Sequence, residues 1–210
     1  MNLQKHLDRA SQALQNGQAD FAAELCDQVL DFAPGDRNAA ELMAKAALAL
    51  SGKASVIAKL GALGGGLAAK FSRLTRNADA EARQMRRVFL KNPADLSKGV
   101  AWGDALERAG YAGAALGAFS GLAERSGEAA KRAGGLAAAQ GEVEAALKYY
   151  ELALKANPRD TEAMRARKNL AAEKALRGRP KDGGGSGLDT ESFLRAARGE
   201  RLDGDPPVGR

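Results

Sequence analysis

His6 and Cys26 are the chain's only imidazole and only thiol. Side by side they would make a nucleophile and its base, and a pair of touching helices would be enough to bring them together. Cys26, however, stands where two later segments carry Phe119 and Tyr150. That position points to packing, since free cysteines behave as small buried hydrophobes. The glycines of Gly61 to Lys70 suggest a phosphate cradle, but no strand precedes them and no Gly-Lys-Ser/Thr follows. Acidic residues such as Asp8 and Glu24 fall on polar helix faces, where a charge is ordinarily solvated. One cysteine builds neither a disulfide framework nor a zinc site. The residues therefore offer no catalytic set, no cofactor site and no metal site.

Cations are the next candidates. The stretch 53–92 holds Lys53, Lys59, Lys70, Arg73, Arg76, Arg83, Arg86, Arg87 and Lys91 against only Asp79 and Glu81. Within it Val56, Leu60, Leu63, Leu67, Phe71 and Leu74 recur at spacings of three and four, one face of a helix. Such a stripe packs as core, docks on a partner helix, or lies on an anionic membrane. Gly64-Gly65-Gly66 interrupts it, at about 1 kcal/mol per glycine relative to alanine. Near the C-terminus, Arg177-Gly178-Arg179-Pro180-Lys181 is similar to the core of the AT-hook, a segment that lays arginines into the minor groove of A·T-rich DNA.

The elements that would position these groups show themselves as repeats. Three segments share one spacing: a glycine (Gly17, Gly110, Gly141), an alanine five residues on (Ala22, Ala115, Ala146), then a larger side chain four further (Cys26, Phe119, Tyr150). Each reads as a helix ended by its glycine, a tight turn and a second helix, with the small residue where the backbones cross. Pro34 and Pro158 close their units, because proline cannot continue the preceding helix. Between Pro34 and Pro93 the chain is too long for one unit and too short for two. It holds either an insertion, the reading favoured here, or two compressed degenerate units. Ala39 to Leu48 make a first helix, and the next good helix contains Met85 to Leu90. After Pro158, residues Thr161 to Leu176 read as one more helix.

The phased glycines and alanines, the pair Trp102-Gly103 and the stretch Gly141 to Pro158 resemble the tetratricopeptide repeat, a unit of about 34 residues made of two antiparallel helices. The resemblance implies an all-α, right-handed superhelical solenoid of helix pairs with a C-terminal capping helix. It also implies a concave groove lined by the first helix of each pair, receiving a protein or peptide. Transferred position by position, the lining is Leu7, Ser11, Glu41, Lys45, Val100, Asp104, Lys131, Arg165 and Asn169. In one subclass of the family the groove clamps a C-terminal carboxylate. Lys131 and Arg165 match two members of that clamp, but Gly135 stands where its asparagine would be.

The totals fit such a scaffold. Of 210 residues 45% are apolar but only 5% aromatic, and alanine and glycine supply small side chains for shallow helix layers. A net charge of +6 is moderate for this length. Met1 to Leu14 lacks the apolar run of a secretory signal, and no window approaches a membrane span. With one cysteine, the expected compartment is the cytoplasm. The expected organisation is a helical repeat domain over 1–177, with a basic irregular insertion at 53–77, and a Gly/Pro-containing flexible tail over 178–210. The expected function is a non-catalytic scaffold or adaptor that holds a protein or peptide and has no small-molecule substrate. The alternative is a basic accessory protein that contacts nucleic acid or anionic membrane through 53–92 or the 177–181 string.

Overall fold

A computed structural model of the chain describes residues 2–51 and 77–177. The expectations for the glycine-broken basic stretch up to residue 76, and for the tail from 178 on, lie outside these residues. Every described element is an α-helix: α1 (Leu3–Gln15), α2 (Ala19–Phe32), α3 (Arg37–Leu50), α4 (Ala78–Lys91), α5 (Leu96–Arg108), α6 (Ala112–Leu122), α7 (Gly127–Ala139), α8 (Val143–Ala156) and α9 (Thr161–Arg177). Residues Met1–Lys174 form one compact unit, and Ala175–Arg210 are grouped apart. Among the described residues, no helix is long and apolar enough to cross a membrane.

Two kinds of junction recur among the described helices, while the α6–α7 turn, where Ser126 caps α7, belongs to neither. The first ends α1, α5 and α7 at Gly17, Gly110 and Gly141, whose φ angles are 73°, 83° and 78°. The glycine N–H donates to a carbonyl three residues back, and the next N–H to one five back (Gln18 to Ala13, Tyr111 to Leu106, Glu142 to Ala137). This satisfies the carbonyls at the helix end, and it needs a residue that tolerates the left-handed region. The second junction is Pro-x-Asp, at Pro34 to Asp36, Pro93 to Asp95 and Pro158 to Asp160. Each aspartate N–H donates to the carbonyl three residues back. Each carboxylate then caps the following helix, accepting from Ala39, Ser97 and Ala163 N–H respectively.

The pairs α1–α2, α5–α6 and α7–α8 pack on each other. At the crossing, the large residue of the second helix sits on a small residue of the first. The Phe119 ring covers Gly103, and the Tyr150 ring lies 3.1 Å from where a Cβ of Gly134 would be. In the first pair the corresponding residues are Ala10 and Cys26, both fully buried. A larger seat meets a smaller wedge there, which conserves volume in a close-packed interior. Phe89 of α4 stacks on Trp102 of α5 with ring centroids 6.1 Å apart, beneath Gly99.

The α3 helix is where the arrangement departs from a simple succession of pairs. Its broadest contact is with α6, not with the next described helix, α4. Gly113, Gly117 and Gly121 repeat every four residues along one face of α6 and meet Gly35, Arg37 and Glu41–Ala44 in ascending order. The two helices therefore run parallel. Their backbones approach so closely that a Cβ on Gly117 would fall on the Arg37 carbonyl, and one on Gly121 would stand 2.7 Å from the Ala44 Cβ. Glycine rows of this kind let helix axes come within backbone contact. Meanwhile α4 packs on α5 and reaches α2 through Arg86.

Candidate functional site

The nine residues expected to line a groove all fall on odd-numbered helices. Leu7, on α1, is only 5% exposed and belongs to the core, so its side chain anchors the helix and is not open to a partner. Ser11 is half-buried. Glu41 and Lys45 on α3 pair with each other at 2.6 Å, one turn apart. Val100 on α5 is half-buried against the core. Arg165 and Asn169 on α9 are exposed.

Ion pairs join α5, α7 and α9 into one row. Asp104 of α5 lies 3.4 Å from Arg132 of α7. Lys131 of α7 lies 3.2 Å from both Asp160 and Glu162 at the start of α9, and 3.6 Å from Glu128. Hydrogen bonding to Glu162 and Asp160 holds the Lys131 ammonium above its ordinary pKa. Asp160 is held below the usual carboxylate range, first by the Ala163 N–H it caps and then by Lys131. A lysine already shared among three carboxylates is a poor receptor for a further one. At Gly135, one turn on, a Cβ would find only the Tyr150 hydroxyl, at 3.8 Å. Val100, Asp104, Lys131, Arg165 and Asn169 thus sit on neighbouring helices. No described interaction links them to Glu41 and Lys45 on α3 or to Ser11 on α1.

The acids that hold Lys131 were not among the expected site residues. Glu128 was within reach of sequence reading, at spacings of three and four from Lys131 and Arg132. Asp160 could have been found as the cap of a Pro-x-Asp junction. Glu162 could not, because its role exists only once α9 lies beside α7.

Arg86 is the one buried charged side chain among the described residues, at 3% exposure. Its Nη2 donates to Asp31 Oδ1 at 2.6 Å, and its Nε lies 2.8 Å from Asp27 Oδ1, in ionic contact without hydrogen-bond alignment. Burial raises the Asp27 carboxyl, against the opposing pull of Arg86. One of the nine cations counted from sequence as a basic surface is therefore spent tying α4 to α2. A second long-range pair joins α3 to the cap of α8, where Arg37 donates to Glu142 through both terminal guanidinium nitrogens, Nη1 and Nη2. Glu142 is lowered, and Arg37 raised, mainly by that hydrogen bonding.

The imidazole and the thiol lie in different surroundings. His6 Nδ1 is 3.1 Å from the Asn2 carbonyl. Cys26 is fully buried, and burial next to Asp36 and Asp27 pushes its thiol up to about 12. A thiol so placed is overwhelmingly protonated at neutral pH. Among the described residues no group of three His, Cys, Asp or Glu side chains could hold a metal ion. A hollow of about 400 Å³ opens at the start of α7, between Arg125, Ser126, Gly127, Leu152 and Lys155. No family model matches the chain, and no curated protein matches it.

Proposed function

We propose that this chain is a tetratricopeptide-like helical repeat, a solenoid with α9 as its cap, acting as a non-catalytic scaffold that binds a protein or peptide. The observation that carries the reading is the recurrence of one unit: a glycine-ended helix followed by a second helix whose wedge residue sits on a small residue of the first. The unit occurs at α1–α2, α5–α6 and α7–α8. Its chemistry is that of a rigid support, with capped helices and small-residue seams and a buried, protonated thiol. Function then belongs to surface side chains.

The binding surface proposed is the α5, α7 and α9 row, through Val100, Asp104, Arg165 and Asn169, with Ser11, Glu41 and Lys45 as a separate flank. Lys131 acts there as a strut between α7 and α9, and Arg165 is the cation open to a ligand. An extended peptide with an acidic side chain opposite Arg165 and an apolar one over Val100 fits this row. The test is a displayed random-peptide library selected on the full chain, followed by titration of the selected peptides. Arg165→Glu and Val100→Asp are expected to weaken binding about tenfold each, the scale of a single interface contact. Peptides whose affinity survives both substitutions would place the binding surface elsewhere.

A further inference from the structure

Four large hydrophobic side chains stand out in water among the described residues, and all lie on two helices. Phe21 (47% exposed) and Phe32 (73%) are on α2, and Met164 (44%) and Leu176 (69%) are on α9. The same two helices have opposite charge. All four charged side chains of α2 are acids, namely Asp20, Glu24, Asp27 and Asp31. On α9 there are five cations, Arg165, Arg167, Lys168, Lys174 and Arg177, against Glu162 and Glu173.

Internal pairing among the described residues removes part of this charge. Asp27 and Asp31 are occupied by Arg86. Arg167 and Lys174 turn back to Glu151 and Glu144 of α8. Asp20 and Glu24 on α2, and Arg165 and Lys168 on α9, are exposed and make no ion pair among the described residues. On α2 the free acids flank the stripe of Phe21, Gln28 and Phe32. On α9 the free cations flank Met164 and Ala171, on the side opposite the buried Ala163.

We infer that the outward face of α2 in one copy docks on the outward face of α9 in a second copy, so that the protein self-associates head to tail. Among the described residues both faces are exposed, and a second copy offers each of them its complement in charge and apolar surface. Laid parallel at a rise of about 1.5 Å per residue, the two helices match in register. Glu24 comes level with Lys168, Phe21 comes within one residue of Met164, and Phe32 lies over the C-terminal end of α9. The phenyl rings supply apolar burial, and the free charges fix direction and register. Because the two faces differ, the contact is heterologous. It leaves an unused α2 at one end and an unused α9 at the other, and it grows into a ring or a filament according to whether the rotation closes.

Sedimentation of the full chain from about 1 μM to about 1 mM should show an average mass that rises with concentration and falls with added salt. Glu24→Lys alone and Lys168→Glu alone should each weaken association about tenfold, and the two together should restore it. Phe32→Asp disables the α2 face, and Met164→Asp the α9 face. Each variant alone should stay monomeric, while an equimolar mixture should form a dimer that grows no further. All the substituted side chains are exposed, so helicity and melting temperature should be unchanged. A wild-type chain that stays monomeric throughout, single reversals without effect, a double reversal that fails to rescue, or a mixture that stays monomeric would each overturn the inference.

Discussion

At the scale of single residues, the groups with distinctive chemistry are held in place by their neighbours. Cys26 is the clearest case. Its thiol is fully buried and raised to about 12, so a thiol reagent should not label it in the native protein and should label it fully after denaturation. Rapid native labelling would reopen nucleophilic chemistry at this position. Arg86 is a second case. Removing it as Arg86→Ala strands Asp27 with its charge half-buried. Loss of a partner costs 3–5 kcal/mol when a pair is fully buried. Asp27 and Asp31 keep contact with water at 35% and 49% exposure, so an expected loss of about 2 kcal/mol in denaturant titration is the better figure. A loss indistinguishable from zero would mean that α4 is held to α2 by packing alone. The position of Cys26 was legible in the sequence from its phase with Phe119 and Tyr150. The buried state of Arg86 was not, because it depends on two aspartates some 55 residues away in the chain.

At the scale of elements, the junctions could be read and the neighbours could not. Glycines at one phase, followed by an alanine five residues on, announce helix ends and close crossings whatever lies around them. Gly17, Gly110 and Gly141 do adopt the left-handed conformation. The glycines of α6 gave no comparable signal. Gly113, Gly117 and Gly121 lie in a stretch already rich in alanine and glycine, and nothing local says that the row faces α3. Substitution separates two kinds of seam. Glycine to alanine in a helix interior gains about 1 kcal/mol from propensity. At Gly134 the added methyl meets the Tyr150 ring at 3.1 Å, which can shift, so Gly134→Ala should be near neutral. At Gly117 it meets the Arg37 backbone, which moves only with the whole of α3. Gly117→Ala should therefore cost about 2 kcal/mol net. Thermal melts of the two variants read the difference directly, and equal melting temperatures would contradict the parallel α3–α6 contact.

At the scale of the whole molecule, ion pairs join helices that are distant in the sequence, and they give stability a pH dependence of definite sign. Glu142, Glu144 and Asp160 are all held below their ordinary values, by Arg37, by Lys174, and by the Ala163 N–H with Lys131. A carboxylate lowered in the folded state contributes stability that is complete above its unfolded pKa and is lost as pH falls through the lowered one. These three thus weaken the fold on acidification below the ordinary carboxylate range. Lys131 acts at the other end: raised by its acids, it contributes fully below the ordinary lysine value and loses that contribution as pH rises through the raised one. Asp27, raised by burial, opposes the first group, since it binds a proton more readily in the folded chain. Melting temperature should therefore hold across the neutral range and fall at both extremes, and the Glu142→Gln variant should lose part of the acid-side slope. An unchanged slope in that variant would mean that the Arg37–Glu142 link contributes nothing in solution.

The central claim is that the surface row of α5, α7 and α9 holds a peptide while the helices beneath it serve as support. Isothermal titration of a library-selected peptide into the wild-type chain and the Arg165→Glu variant, at matched salt, tests it most directly. The account predicts saturable 1:1 binding to the wild type, weakened about tenfold in the variant with the variant's melting temperature unchanged. Equal affinity for both proteins would contradict it.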